Sequence, residues 1–333
     1  MKSVSQFTAE RLLCVALLAL ATMGSSGVSH ASTAVRSSPC QVVSTIDSKL
    51  TQRIAATRGG PIAYYRFGRG KPLMLITGYR ATVSEWNSAF LDALAANHDV
   101  IVFDNPGVGR SRSDALPETM EGMADAASEL ITALHLPKVD VIGWSMGGMV
   151  AQQLAIDHAH QVGSLVLLST TAPGADALPV PGAVTSVLSG QSPSPFETIM
   201  AVLFPPNAQA QAVRCFRGEM FTPADYGHVS VDARTAKAQE QAMAAWWKDN
   251  AAAKALSRVA VPTLIVTGEQ DTVVAVENAR VLNTLLPNAM LHTVADGGHA
   301  LMYQDPKGLA SELSRFIDKT SQPSRQAMGA GAP

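Results

Sequence analysis

Four short runs of uninterrupted apolar residues constrain this chain most: Leu-Met-Leu-Ile at 73–76, Val-Ile-Val-Phe at 100–103, Leu-Val-Leu-Leu at 165–168 and Thr-Leu-Ile-Val at 263–266. A run with no polar alternation has no face for water. One this short is a strand covered on both sides, the situation of a parallel sheet packed between helices. Strands are expected at 53–57, 62–67, 72–77, 100–104, 139–144, 164–169, 262–267 and 290–294. Helical patterns separate most of them, at 84–97, 117–134, 146–160, 274–286 and 306–319. The alternation predicts a doubly wound α/β fold with a mostly parallel sheet and helices on both faces. The first two strands flank Arg58-Gly59-Gly60-Pro61 and read as an antiparallel hairpin.

One interval breaks the rhythm. Residues 171–260 hold no central strand; Pro179, Pro181, Pro193, Pro195, Pro205 and Pro206 are followed by an Ala-rich helical stretch at 233–255. It is expected to be a helical lid or cap inserted between the two parts of the core, 50–170 and 261–319. The chain of 333 residues, 47% hydrophobic and 16% charged, can bury such a core. A net charge of -2, without a basic run, argues against nucleic acid or a polybasic membrane patch as partner.

The ends read differently. Lys2 and Arg11 precede a twelve-residue apolar run, LLCVALLALATM, and then Ser29-His30-Ala31. The run is short of the roughly 20 residues that span a bilayer. Residues 1–31 are therefore expected to be a signal peptide cleaved near Ala31, leaving no stable membrane anchor and an exported protein, periplasmic or extracellular. Residues 32–49 read as a spacer and 320–333 as a disordered tail. Cleavage removes Cys14 and leaves Cys40 and Cys215. These two form one bridge or remain two buried thiols; the sequence gives no distance.

The chemistry gathers in four loops. Gly143-Trp144-Ser145-Met146-Gly147-Gly148 follows the apolar strand VDVIGW and opens a helical pattern. A serine on a tight strand-to-helix turn, with glycines to relieve crowding, is the setting of a nucleophile elbow; in an ordinary Gly-rich turn the context would be coincidence. The helix start offers the Met146 N–H as an oxyanion donor. A serine hydroxyl needs a base. Of eight histidines, His299 in Ala295-Asp296-Gly297-Gly298-His299-Ala300 lies between the last strand and the last helix, at the edge where open sheets bind ligands. The base needs a carboxylate to orient it. Asp271, in Gly268-Glu269-Gln270-Asp271-Thr272, occupies the same edge, with Glu269 its local competitor. The order Ser145, Asp271, His299 suits a Ser–Asp–His triad. The loop Thr77-Gly78-Tyr79-Arg80 is placed to give the Tyr79 N–H as second donor. Gly78, Arg80, Trp144 and Trp246 are expected to touch substrate, the last within an insertion that also offers Phe196, Phe204, Phe216, Phe221, Tyr226 and Trp247. Trp246 and Trp247 are neighbours on a helix and cannot both face a pocket. Asp104 reads as a local turn residue.

Across residues 50–319 the chain resembles the α/β-hydrolase family, through LMLITGYRATVSEW, IVFDNPGVGRS, VIGWSMGGMVAQQLA, LIVTGEQDTVV and VADGGHALMYQDP in the family order. The resemblance implies an eight-stranded sheet, a lid between the sixth and seventh strands, no cofactor, and Asp271 as the acid. Two departures stand out. Thr77-Gly78 replaces the His-Gly of many members, so the oxyanion loop is supported differently. The nucleophile position holds Ser, unlike relatives that use an aspartate. The expected activity is ester or lactone hydrolysis on a small-molecule substrate. A cofactor-free haloperoxidase or perhydrolase, an amide or carbon–carbon bond hydrolase, and a non-catalytic binder on the same scaffold are the alternatives.

Overall fold

In a computed structural model, residue 40 and residues 47–113 and 115–320 are described. The expected signal peptide, most of the spacer and the tail beyond residue 320 lie outside the described residues. Among the latter, no helix is long and apolar enough to cross a membrane.

Eight strands form one sheet: β1 (Arg53–Thr57), β2 (Gly60–Gly68), β3 (Lys71–Ile76), β4 (His98–Phe103), β5 (Val139–Trp144), β6 (Val162–Leu168), β7 (Thr263–Gly268) and β8 (Ala289–Val294). Their order is β1-β2-β4-β3-β5-β6-β7-β8. β1 pairs antiparallel with β2, as the Gly-rich hairpin predicts, and β2 also pairs antiparallel with β4; every later pairing is parallel. From β3 the chain runs outward to β4, then crosses back over β3 to β5. The strand order therefore reverses between β3 and β5, and the crevice beyond their C-terminal ends is where an open α/β sheet takes ligands.

The continuous runs are buried on both faces because each face carries helices. Met74, Ile76, Ile101, Val141, Leu165 and Ile265 point into one core with helices α2 (Met120–Ala133) and α3 (Met146–Asp157). Leu73, Leu75, Val100, Val102, Val166 and Val266 point into the other, against α1 (Ser88–Ala95) and the C-terminal α11 (Pro306–Thr320). Caps set the helix starts. Thr119 accepts from Gly122 N–H, so α2 begins after Pro117, and Asn87 accepts from Phe90 N–H, splitting the expected 84–97 helix into a 3₁₀ turn and α1.

The insertion holds α4 (Gly182–Leu188), α5 (Pro195–Leu203), α6 (Pro206–Glu219), α7 (Ala233–Trp246) and α8 (Asn250–Leu256). Asp249 caps α8 and divides the Ala-rich stretch in two. The insertion does not lie wholly over one face of the sheet. Residues of α5 and α6 join the α1–α11 core, whereas Ala242, Met243, Trp246, Ala252 and Leu256 join the α2–α3 core. The remaining helices are α9 (Glu277–Leu285) and the short α10 (Leu301–Gln304). Cys40 and Cys215 are joined in a disulfide, with Cα atoms 5.2 Å apart, so the N-terminal segment is tied to α6.

Asp104 is structural, as expected, but not a local turn. Buried after β4, its carboxylate accepts from Val83 N–H at 3.0 Å and from the Tyr226 hydroxyl at 2.7 Å, joining segments distant in the chain. Burial outweighs these donors and pushes its pKa up to about 7.

Candidate active site

Ser145 links β5 to α3 with φ 57° and ψ −124°, a conformation that costs a non-glycine residue about 1–3 kcal/mol. Its backbone is held on every side. Its N–H donates to Leu168 O at 2.9 Å, and its carbonyl accepts from Gly148 N–H at 2.9 Å and from the Thr170 hydroxyl at 2.7 Å. The turn is tight enough that a Cβ on Gly147 would lie 2.1 Å from Ile76 O, and one on Gly143 2.4 Å from Gly147 O. Only glycine fits at either place. No hydrogen bond within the described residues engages the Ser145 hydroxyl.

The loop after β8 carries His299, which is 2% exposed. Its Nδ1–H donates to Asp271 Oδ2 at 2.8 Å, while Asp271 Oδ1 accepts from the N–H groups of Val273 and Val274, both at 2.8 Å. The carboxylate is thus fixed on one oxygen and orients the ring with the other. This leaves Nε2 as the basic nitrogen. Glu269, the competitor, takes the Thr293 hydroxyl at 2.8 Å instead. Two contacts hold the His299 main chain: Trp144 Nε1–H donates to His299 O at 2.9 Å, and His299 N–H donates to Leu203 O at 2.9 Å. Trp144 lines the cavity with one side of its ring while its polar end secures the histidine loop.

The loop after β3 lies beside the serine. A Cβ on Gly78 would stand 3.1 Å from Ser145 Cβ and 3.6 Å from its Oγ. The N–H groups of Tyr79 and Met146 make no hydrogen bond within the described residues. Thr77, in place of the family's usual histidine, accepts from Asn105 Nδ2 at 3.3 Å. α7 supplies the rest of the support: Gln239 Oε1 accepts Arg80 N–H at 2.9 Å, and Glu240 accepts the Tyr79 hydroxyl. Burial and the Glu240 carboxylate both raise the Tyr79 phenol pKa.

These loops open on a cavity of about 310 Å³. Gly78, Tyr79, Arg80, Trp144, Ser145 and His299 form its floor side. Leu188 of α4, Ile199, Met200 and Leu203 of α5, and Phe216 of α6 form an apolar roof. Arg80 and Arg217 bring two positive charges to the lining, and the Arg217 guanidinium lies 4.0 Å from the Phe196 ring centroid. A carboxylate, Glu85, also reaches the wall; burial raises its pKa against the lowering effect of its bonds to Thr82.

Trp246 corrects the sequence reading. It is 2% exposed, belongs to the core against α2 and α3, and its indole N–H points at Thr171 O, 3.5 Å away. It does not line the cavity, because α7 turns that face inward beneath the sheet's other layer. The aromatic residues 221 and 226 are likewise structural: Phe221 packs edge-on against Tyr65, and Tyr226 bonds Asp104. Sequence reasoning missed the aliphatic roof, since Ile199, Met200 and Leu203 look like any amphipathic helix. It also missed Gln239, a polar residue among alanines whose partner lies 159 positions away. Cys40, Cys215 and Glu219 lie close enough to hold a metal, but the two sulfurs are bonded to each other.

Comparison with known proteins agrees with this fold. The family model described as alpha/beta hydrolase fold matches residues 71–306, which contain all four loops. A poly(3-hydroxyalkanoate) depolymerase of Ectopseudomonas oleovorans is 27% identical over 263 residues, covering 75% of this chain and 86% of that protein. A pimeloyl-[acyl-carrier protein] methyl ester esterase of Chromobacterium violaceum is 30% identical over 239 residues, 68% of this chain and 87% of its own. Among solved structures, an alpha/beta hydrolase fold protein from Chitinophaga pinensis superposes with a TM-score of 0.73 at 22% identity, covering 82% of this chain and 98% of that one.

Proposed function

The chain belongs to the α/β-hydrolase fold family, and from that premise we propose that it is a serine hydrolase of carboxylic esters or lactones, working through an acyl group on Ser145. The observation that carries this is the bond from His299 Nδ1–H to Asp271 Oδ2 at 2.8 Å, beside a cavity that Ser145 and His299 both line. His299 Nε2 takes the hydroxyl proton as Ser145 Oγ attacks the ester carbonyl. The oxyanion is met by the free N–H groups of Met146 and Tyr79. The proton passes from His299 to the leaving alkoxide, and the alcohol departs. His299 then deprotonates a water, which attacks the acyl carbonyl; the acid leaves and Ser145 regains its proton.

The apolar roof suits a short to medium acyl or alkyl chain. The α4–α6 part of the insertion acts as the lid, while α7 and α8 serve the core. Export is part of the same reading: the N-terminal charge, apolar run and small residues support it, and a Cys40–Cys215 disulfide suits an oxidising compartment. The test is hydrolysis of p-nitrophenyl esters of increasing acyl length by the protein and its Ser145→Ala variant. Turnover lost in the variant is expected. Equal turnover in both would overturn the proposal, and matched amides or diketones cleaved in preference would move it to another bond.

A further inference from the structure

We infer that Gln239, on α7, is the positioning residue that aims the second oxyanion donor; this rests on the serine hydrolase reading above. Residues 78–81 form a turn closed by Ala81 N–H donating to Gly78 O at 3.3 Å. Its third residue, Arg80, has φ 53°, while Tyr79 is not in the left-handed region. That is the backbone of a type II turn, whose third position favours glycine. An arginine there is strained and needs to be held.

Gln239 holds it. The side chain is 2% exposed, and its Oε1 accepts Arg80 N–H at 2.9 Å. An N–H needs an acceptor, so the amide oxygen, not the nitrogen, faces the loop. Nε2 is buried with no partner among the described residues. A buried amide nitrogen without a partner is costly. Two bonds now fix the two peptide planes on either side of Tyr79 Cα. The bond from Gln239 fixes the plane of Arg80 N–H. The bond from Ala81 fixes the plane that holds Gly78 C=O and Tyr79 N–H. In a trans peptide these two groups point in opposite directions, so the Tyr79 N–H is turned out of the turn. Glu240 anchors the Tyr79 hydroxyl, so two successive residues of α7 grip one loop.

Gln239→Met keeps the volume and removes the acceptor; Gln239→Glu keeps an acceptor oxygen. Each is measured beside the parent and Ser145→Ala by kcat and KM on p-nitrophenyl butyrate, and by the rate at which a fluorophosphonate probe labels the serine. Gln239→Met is expected to lower kcat about tenfold, less than the loss of a whole donor. KM should stay within about twofold and labelling should slow in step. Gln239→Glu retains most of both rates, and adding Arg80→Gly to Gln239→Met recovers part of the loss, since glycine takes the turn unaided. A folded Gln239→Met with both rates of the parent, or one changed in KM alone, overturns the inference while leaving the serine mechanism intact. If Gln239→Met does not fold, a folded Gln239→Glu with rates as low as a lost donor overturns it. A parent no faster than Ser145→Ala overturns the mechanism and the inference together.

Discussion

The sheet and the insertion build opposite sides of one cavity, by different means. On the sheet side each candidate residue is fixed by hydrogen bonds: the Ser145 main chain by Leu168, Gly148 and the Thr170 hydroxyl, the Asp271 carboxylate by the N–H groups of Val273 and Val274, and the His299 main chain by the Trp144 indole and Leu203 O. On the insertion side α4 has no buried residue at all, and α5 buries only Met200 and Leu203. The difference teaches where each property resides. Chemistry needs geometry fixed to fractions of an ångström and sits where strands and helix starts over-determine it. In the proposed function, selectivity falls to a replaceable surface on short helices joined by proline-rich turns. α7 belongs to both, packed into the core on one face and reaching the oxyanion loop on the other.

Breaking the rigid side should cost most. Asp271→Asn keeps the shape but offers His299 a donor where it needs an acceptor, so kcat should fall about 10⁴-fold with KM little changed. A fall of less than tenfold in steady-state kinetics on p-nitrophenyl butyrate would show that another group orients the histidine. Changing the replaceable side should alter selection instead. Met200→Trp fills the roof of the cavity, so kcat/KM for long acyl esters should drop about tenfold or more relative to short ones. An unchanged length profile would place the acyl chain elsewhere.

The smallest effect should come from the tether that joins the two sides. Asp104, with its pKa raised to about 7 by burial, binds its proton more tightly folded than unfolded. Its stabilising contribution is therefore fully present below the ordinary carboxylate value near 3.8, and is lost as pH rises through about 7. Unfolding by urea across that window should show falling stability with rising pH, and Asp104→Asn, which still accepts from Val83 N–H, should flatten the slope. A slope unchanged in the variant would assign it to the buried carboxylates Asp47 and Asp140 and the half-buried Glu85, which shift the same way.

How much was legible in the sequence follows the same division. The strands around 73–76, 100–103, 165–168 and 263–266 were readable because burial on both faces leaves no freedom in composition. That Ser145, Asp271 and His299 lie at one sheet edge was readable from local patterns of strand followed by Gly-rich loop, while the choice of Asp271 over Glu269 came from the family resemblance. The insertion was less so. The Ala-rich stretch gave its helices but not the break at Asp249, and its amphipathic face did not say which layer it meets. Trp246 therefore looked like a pocket wall and is core. Gln239 and the Asp104–Tyr226 tether carry no local signal: each works across more than a hundred residues, through one hydrogen bond. The disulfide was open in the sequence because spacing says nothing of distance, and Cα atoms 5.2 Å apart decide it.

The proposed mechanism requires Ser145 Oγ to become covalently bonded during turnover. Its most direct test is to treat the protein and its Ser145→Ala variant with a fluorophosphonate and read intact mass and peptide maps. One adduct, on the peptide that holds Ser145, with none on the variant and hydrolysis lost in parallel, is the predicted result. An adduct on another residue, or full hydrolysis by protein that takes no label, would contradict it.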